Sequence, residues 1–288
     1  MRLKQYIDEA TAQLTKAGVD SPRLCAEVLA REVLGGEAAG SARLFCILEA
    51  GRELEGAERE RLQVLTDQRA TGQPLAQIIG RKEFYGRDFV VTRHTLIPRP
   101  ETELLVDTAL ELLPQAPLHF ADLGTGTGCI GLTLLAESPH WQGLLLDLCP
   151  HAAEVAATNA RLLGVDNRAA VLRGDMQHPP LKAESLQLVV SNPPYIAEAE
   201  RHMVMDEVLH NEPHSALFSE NNGLLHLAAA INAGGHALQD CGWILLEHGA
   251  AQANAVRDLL AETRIFKKIE NKRDIAHLDR CTLARKGL

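Results

Sequence analysis

The chain has 288 residues and a formal net charge of −9, with 46% hydrophobic residues. Its length suits one large domain or two smaller ones, and its acidic charge argues against binding nucleic acid mainly through a broad basic surface. Six scattered cysteines without a C-x-x-C pair, with neither a signal-peptide core nor a membrane-spanning apolar run, predict a cytoplasmic protein with reduced thiols.

The first 80 residues are predicted to be helical throughout. The apolar residues that share one face of the first helix are Leu3, Ile7, Ala10 and Leu14. Ser21 and Pro22 are typical of a helix start, and this second helix is expected to end at Gly35-Gly36. Two more helices are expected at 44–50 and 58–69. Together these signals predict a small helical bundle over residues 1–80.

Residues 81–100 have a different pattern. Two short strands, at 84–86 and 89–92, are predicted around a turn. Pro98 and Pro100 then restrict their neighbours and exclude a helix. We predict that this segment is a β-hairpin linker between two domains.

From residue 101 to residue 288, helix and strand signals alternate. Strands are predicted up to Leu123 and at 144–147, 170–173, 186–191 and 243–247, and helices at 102–113, 129–137, 151–163, 223–239 and 251–262. Such alternation implies an α/β domain with a mostly parallel sheet and helices on both faces. Two final strands, at 264–270 and 279–285, are expected to form an antiparallel hairpin at the sheet edge.

A glycine-rich loop joins the strand that ends at Leu123 to the helix that follows. Its candidate ligand-binding residues are Asp122, Gly124, Thr125, Gly126, Thr127 and Gly128. Glycines let a backbone approach a ligand closely, and ligands of open α/β sheets bind beyond the carboxyl ends of strands. The run also fits the dinucleotide pattern G-x-G-x-x-G, with Asp147 as the later acidic residue. This region alone does not separate NAD from S-adenosylmethionine.

Asp147, Asp175 and Met176 are candidates for nucleotide binding. They lie at or just after the ends of the next two strands. Asp147 ends a strand, where a carboxylate can accept hydrogen bonds from both ribose hydroxyls. Asp175 could accept from an adenine amino group, and Met176 could cover the ring. The alternatives are a charge at a helix start for Asp147 and an ordinary polar loop for Asp175 and Met176.

The sequence Asn192-Pro193-Pro194-Tyr195 directly follows strand 186–191. It therefore lies at the same edge of the sheet as the glycine-rich loop. The Asn192 side chain and the Pro193 carbonyl are acceptors, and proline has no N–H to donate. Two acceptors that hold both protons of a planar NH₂ group can orient its nitrogen toward a methyl group. Tyr195 could pack on that planar group.

In combination, these motifs resemble the HemK/PrmC family, the peptide chain release factor glutamine methyltransferases. The resemblance covers nearly the whole chain and rests on the segments 74–80, 96–103, 122–128, 192–195 and 212–213. It implies a Rossmann-like class I methyltransferase domain with a seven-stranded sheet, preceded by a helical bundle that docks the release factor. It also implies N5-methylation, with S-adenosylmethionine as donor, of the glutamine in the Gly-Gly-Gln motif of class 1 release factors, which tunes translation termination.

By this resemblance each candidate residue takes a role. The cofactor would be held by Asp122, Gly124, Thr125, Gly126, Thr127, Gly128, Asp147, Asp175, Met176 and Asn192. The substrate amide would be held by Asn192, Pro193, Pro194 and Tyr195, of which Asn192, Pro193 and Tyr195 are the catalytic candidates. We expect a monomer with no metal, no membrane association and no stable nucleic-acid partner. Met176 departs from the family, which often has an aromatic residue nearby, and the loop 216–223 departs from a glycine-rich acidic stretch.

Other functions fit the residues less well. The nearest alternative is N6-methylation of adenine in nucleic acid, because Asn-Pro-Pro-Tyr suits any planar NH₂ group. Enzymes of that kind usually need a basic surface to bind nucleic acid, so the acidic net charge of this chain disfavours the alternative. A regulatory module without catalysis does not explain the acceptors beside the glycine loop, and an NAD-dependent oxidoreductase does not explain Asn-Pro-Pro-Tyr. His210 and His214 have the spacing of metal ligands on a helix, but Pro213 between them argues against a metal site.

Overall fold

The computed structural model describes residues 1–35 and 41–287, which divide into two compact units. The N-terminal unit comprises Met1–Gly80 together with Asp206–Asn211, and the C-terminal unit comprises Arg81–Met205 and Glu212–Leu288. The first unit therefore includes a segment from the middle of the region predicted as the α/β domain, residues 101–288. The two units are described separately below.

The N-terminal unit is helical. Its helices before residue 81 are α1 (Leu3–Lys16), α2 (Pro22–Leu34), α3 (Ala42–Leu48), α4 (Gly56–Ala70) and α5 (Leu75–Ile79). The predicted apolar face of α1 lies in a core with residues of α2, α3 and α4. Helix α2 begins at Pro22 as predicted, although the Ser21 side chain makes no capping hydrogen bond within the described chain. The helix ends at Gly35, whose φ of +72° suits glycine; Gly36 lies outside the described residues.

A β-hairpin opens the C-terminal unit. Strands β1 (Arg81–Phe84) and β2 (Arg87–Val90) pair antiparallel. The sequence placed both strands two or three residues too late, because Tyr85 and Gly86 form the turn, with φ of +53° and +73°. Positive φ at both turn positions matches the twist of a tight hairpin. The hairpin buries Phe84 and Phe89 in the core of the C-terminal unit, so it is built into that unit.

The remaining elements alternate along the chain as predicted. In chain order they are α6 (Glu103–Leu112), β3 (Leu118–Leu123), α7 (Cys129–Glu137), β4 (Trp141–Asp147), α8 (Pro150–Leu162), β5 (Ala169–Arg173), β6 (Leu186–Ser191), α9 (Asp206–Asn211), the short α10 (Glu220–Gly223), α11 (Leu225–Ala237), β7 (Leu238–Glu247), α12 (Ala253–Glu262), β8 (Phe266–Arg273) and β9 (Asp279–Lys286). Strand β7 begins at Leu238, five residues before the predicted start at Trp243, and α11 is correspondingly shorter. Helices α5, α9 and α10 were not predicted.

The described residues form a seven-stranded sheet in the order β5-β4-β3-β6-β7-β9-β8. Strands β5, β4, β3, β6 and β7 are parallel, and β9 pairs antiparallel with β7 and β8. The prediction of a mostly parallel sheet with an antiparallel edge hairpin is confirmed. The chain reverses direction across the sheet at β3, and such a switch point opens a crevice at the carboxyl ends of the strands.

Helix α9 packs within the N-terminal unit. Arg69, only 5% exposed, donates to the Glu207 carboxylate at 2.7 Å. The Gln77 side chain donates to the Asn211 carbonyl at 2.9 Å, and the Asn211 side chain donates to the Gly72 carbonyl at 3.1 Å. These bonds join residues 134 to 139 positions apart, which explains why local sequence patterns did not predict the helix.

The centre of the sheet yields a stability prediction. Gly143 on β4 is paired with Phe120 on β3, and a Cβ at Gly143 would lie 2.5 Å from the Phe120 ring. Gly143→Ala should therefore lower the free energy of unfolding by about 1–3 kcal/mol through overpacking. Chemical denaturation checks this, with Gly56→Ala as the control, because a Cβ there meets nothing within 4 Å. Equal stability of the two variants would contradict the prediction.

Candidate active site

A cleft lies at the carboxyl ends of the parallel strands, within the C-terminal unit. It is open to solvent and lies where ligands of open α/β sheets bind. The predicted residues that line it are Gly124, Thr125, Gly126, Thr127, Asp147, Asp175, Met176, Asn192 and Pro194. Within the described chain, the lining does not include Asp122, Gly128, Pro193 or Tyr195. Lining residues without a predicted role include His94, Arg99, Thr102 and His226.

Asp147 holds the glycine loop at the end of β4. One carboxylate oxygen accepts from the Gly126 N–H and the other from the Cys149 N–H, each at 2.8 Å. Burial raises the pKa of Asp147, and these two bonds oppose that rise. Each oxygen keeps a lone pair for a ligand, so Asp147 can shape the loop and also bind.

Asp122 does not line the cleft but lies beneath the glycine loop. It is fully buried, and one oxygen accepts from the Thr125 hydroxyl at 2.7 Å and from the Gly131 N–H at 3.0 Å. Its other oxygen has no hydrogen-bond partner among the described residues. Burial raises its pKa from 3.8 to about 6. These contacts support the glycine loop, and direct contact of Asp122 with the cofactor stays a prediction.

Met176, Asp175 and His226 share one wall of the cleft. Met176 packs so tightly on Gly124 that a Cβ there would lie 2.9 Å from the methionine Cε. His226, at the start of α11, contacts the Ser219 hydroxyl through Nδ1 at 2.8 Å. Burial lowers the pKa of His226, and the nearby charge of Asp175 partly offsets that effect. This wall therefore presents an apolar methionine next to a carboxylate and a largely neutral imidazole.

The side chain of Asn192 has a defined orientation. Its Nδ2 donates to the Thr102 hydroxyl at 3.1 Å, which leaves the Oδ1 as the acceptor end. Behind it, the Tyr195 carbonyl accepts from Gln252 at 2.8 Å. A Cβ at Gly223 would lie 2.1 Å from that same carbonyl oxygen, so only glycine permits this packing. Gln252 and Gly223 thus fix the backbone three residues after Asn192.

Glu247 is a buried carboxylate next to Asn192 that the sequence analysis missed. Ser191 on β6 is paired with Leu246 on β7, so the residues that follow them are neighbours at the sheet edge. Glu247 is 2% exposed. Burial raises its pKa to about 7, and the positive charge of Arg280 opposes that rise. A charged residue directly after the apolar run 243–246 was the signal available in the sequence.

Two segments quoted for the family resemblance meet at one wall of the cleft. The Glu212 carboxylate accepts from the Arg99 guanidinium at 2.5 Å and from the Ile97 N–H at 2.9 Å. The Glu212 side chain is almost fully buried, whereas Arg99 is partly exposed and lines the cleft. A charge-assisted pair of this kind fixes the position of the guanidinium.

Two kinds of feature are missing from the part of the chain that the structure describes. No group of three or more His, Cys, Asp or Glu side chains is arranged to hold a metal ion there. None of the helices in residues 1–35 and 41–287 combines the length and the apolar character needed to cross a bilayer.

Two family models match the chain. One, described as the PrmC N-terminal domain, matches residues 5–80. The other, described as the methyltransferase small domain, matches residues 100–238. The second match includes the glycine loop, Asp147 and Asn192.

Curated relatives match almost the full length, and three of them are named release factor glutamine methyltransferase. The protein of Nitratidesulfovibrio vulgaris is 42% identical, covering 99% of this chain and 96% of the relative. That of Vibrio cholerae is 39% identical, covering 98% and 96%. That of Escherichia coli is 35% identical, covering 99% of both chains. These matches span both structural units.

The buried carboxyl of Asp122 predicts a pH effect on stability. Because its folded-state pKa is about 6 rather than 3.8, the folded protein binds this proton more tightly, and the resulting stability is lost as pH rises through that window. Asp122→Asn keeps an acceptor for Thr125 and Gly131 but does not titrate. The stability of the parent relative to this variant should fall by about 2–3 kcal/mol from about pH 4 to about pH 7. Denaturant unfolding at both pH values checks this, and a constant difference would refute it.

Proposed function

The chain belongs to the release factor glutamine methyltransferase family, and we propose that it methylates class 1 release factors. The methyl group goes from S-adenosylmethionine to the side-chain N5 of the glutamine in the Gly-Gly-Gln motif. The observation that carries this proposal is the orientation of Asn192, whose Nδ2 is used by Thr102. Its carbonyl end therefore remains available to a planar NH₂ group beside the glycine loop.

The residues of the cleft fit S-adenosylmethionine. Asp147 has a spare lone pair on each oxygen for the ribose hydroxyls, while Met176 and Asp175 form the wall assigned to adenine. The glycine loop has no bulky side chains, and Gly126 has a φ of +58°. This backbone leaves room for the amino-acid part of S-adenosylmethionine. When bound, S-adenosylmethionine supplies an electrophilic methyl group on a positively charged sulfur.

Asn192 and Pro193 orient the nucleophile in this proposal. The lone pair of an amide nitrogen is delocalised, so the nitrogen is a poor nucleophile. Acceptance of its two protons by the Asn192 Oδ1 and the Pro193 carbonyl aims the nitrogen at the methyl group and favours the charge that develops. The new N–C bond forms as the C–S bond breaks, and the methylated amide then releases a proton to solvent. No base is required before the attack.

The remaining residues have supporting roles. Burial and the charge of Glu247 raise the pKa of Tyr195 to about 12, so its hydroxyl stays neutral. Tyr195 does not line the cleft within the described chain, and its packing on the substrate amide stays a prediction. Pro194 lines the cleft and supplies a rigid surface. We assign release-factor docking to residues 1–80, which the PrmC N-terminal domain model covers almost completely. We expect a monomer without a stable nucleic-acid partner, in keeping with the net charge of −9.

The test of this function uses the full-length chain, labelled S-adenosylmethionine and a purified class 1 release factor. Peptide mass spectrometry should locate one added methyl group on the glutamine of the Gly-Gly-Gln motif. A release factor with asparagine in place of that glutamine is the control, and it should remain unlabelled. Transfer of label to adenine in DNA, with none to the release factor, would instead favour the nucleic-acid alternative.

Asp147 should be required for cofactor affinity. Asp147→Ala removes a carboxylate that can accept from the ribose hydroxyls and that also holds the Gly126 N–H. We expect S-adenosylmethionine to bind more weakly by roughly 1–3 kcal/mol, the usual loss for a hydrogen bond to a charged group. Isothermal calorimetry measures this directly, and unchanged affinity would remove Asp147 from the site.

Asn192 should be required for the rate of transfer more than for cofactor affinity. Asn192→Ala removes one of the two acceptors for the substrate amide, and loss of such a preorganised contact costs on the order of 10²–10³ in rate. Asn192→Asp keeps an acceptor and should restore part of the rate. Single-turnover rates at saturating S-adenosylmethionine provide the measurement. An alanine variant within about threefold of the parent would mean that Asn192 does not orient the nucleophile.

A further inference from the structure

The cleft has a permanent positive charge at one position. Among the described residues that line it, Arg99 is the only Lys or Arg, whereas Asp147 and Asp175 line it as carboxylates. The proposed cofactor has a positively charged sulfur, an ammonium group and one carboxylate. The acidic residues suit its two cationic groups, but they repel its carboxylate. That carboxylate therefore needs a donor of its own in the cleft.

Arg99 is held in place by its own surroundings. Pro98 and Pro100 flank it, and a proline restricts both its own backbone and that of the residue before it. The Arg99 Nη2 donates to the Glu212 carboxylate at 2.5 Å, and the second oxygen of that carboxylate accepts from the Ile97 N–H at 2.9 Å. The guanidinium is therefore already positioned, so a ligand that binds to it does not have to order a flexible side chain.

The two members of this ion pair differ in their access to the cleft. The Arg99 side chain is 34% exposed and lines the cleft, whereas the Glu212 side chain is 1% exposed and is not among the described lining residues. A guanidinium has five N–H donors, and within the described chain only the Nη2 of Arg99 makes a hydrogen bond. Donors remain for a ligand, and their planar arrangement suits the two oxygens of a carboxylate.

Arg99 lies on the side of the cleft where methyl transfer is proposed. Its carbonyl accepts from the Thr102 N–H at 3.1 Å, and the Thr102 hydroxyl accepts from the Asn192 side chain at 3.1 Å. Asn192 follows β6 and Asp147 ends β4, with β3 between these two strands. The amino-acid part of S-adenosylmethionine branches from the same sulfur as the methyl group, so a methyl group at Asn192 brings the carboxylate toward Arg99.

We propose that Arg99, held by Glu212, binds the carboxylate of S-adenosylmethionine through its guanidinium N–H groups. Arg99 then fixes the amino-acid end of the cofactor while Asp147 fixes the ribose, and the sulfur between these two ends is held with its methyl group toward Asn192. The inference rests on the proposed function for the identity of the ligand. It adds the residue that recognises the single anionic group of that ligand.

The test compares two ligands that differ only in this group. Decarboxylated S-adenosylmethionine keeps the adenosine, the charged sulfur and the amine but lacks the carboxylate. By calorimetry, the full-length parent should bind S-adenosylmethionine about 10- to 100-fold more tightly than the decarboxylated ligand. Arg99→Met keeps a long side chain without charge or donors, and its affinities for the two ligands should differ by less than about threefold. Its affinity for the decarboxylated ligand should be close to that of the parent.

Two further variants serve as controls. Arg87→Met is the matched control, because Arg87 donates to Glu137 at 2.6 Å and is partly exposed, but it is not among the described residues that line the cleft. It should keep the full parental preference for S-adenosylmethionine. Arg99→Lys keeps the charge without the planar donors and should keep part of that preference. If Arg99→Met kept the parental preference, the proposal would be overturned.

A double variant guards against a loss of stability. Arg99→Met alone leaves the buried Glu212 carboxylate without its cation, which destabilises the folded protein. Combining it with Glu212→Gln removes that charge and keeps an acceptor for the Ile97 N–H. The double variant should bind the two ligands about equally, with its affinity for the decarboxylated ligand within about threefold of the parent. An equal, large loss of affinity for both ligands in this variant would show that the pair only supports the fold.

These binding measurements need no release factor, so they are separable from the proposed function. If the parent discriminates between the ligands through Arg99 but does not methylate the glutamine, the proposed function fails and the carboxylate site stands. If the parent methylates the glutamine while Arg99→Met still discriminates, the carboxylate site fails and the proposed function stands. If Arg99→Met weakens only the binding of the release factor, Arg99 contacts the protein substrate and the proposal fails.

Discussion

The parallel pairing of β3, β4, β6 and β7 is the constraint on which the rest of the structure depends. Parallel strands deliver their carboxyl ends to one edge of the sheet. Asp147 and Glu247 are the last residues of β4 and β7, and Asn192 is the first residue after β6. A group of residues that are distant in sequence therefore converges without any long loop to hold it. The strands themselves are buried on both faces, which makes the register rigid.

This convergence concentrates negative charge where water is excluded. Burial raises the pKa of Asp122 to about 6, that of Glu247 to about 7, and that of Asp147 as well. Two of these carboxylates each have an oxygen with no hydrogen-bond partner in the described part of the chain. Ionisation of these buried carboxyl groups lowers the free energy of unfolding. The same field favours a ligand with positive charge, because opposite charges attract strongly at low dielectric.

The sequence predicted the elements that follow local rules and missed those that depend on distant contacts. Alternating apolar runs predicted the central strands, and glycine positions predicted the loop over the cleft. The predicted bounds of the two hairpin strands were wrong because Tyr85 occupies the turn with a positive φ, whereas an aromatic residue is by preference placed in a strand. The hydrogen bonds from Thr125 and Gly131 to Asp122 were not predicted, because they form only when the glycine loop folds back over the end of β3. Thr102 was overlooked because its role exists only where it meets Asn192, ninety positions away.

Helix α9 limits the modularity of the chain. Its flanking residues belong to the C-terminal unit, yet its side chains bond to Arg69, Gly72 and Gln77. The polypeptide consequently passes between the units again after residue 80, on either side of α9. An exchange of residues 1–80 between relatives would place Arg69, whose guanidinium is almost fully buried, against a residue from another sequence in place of Glu207. The N-terminal unit is therefore built from two segments of sequence, and both must be exchanged to keep their contacts together.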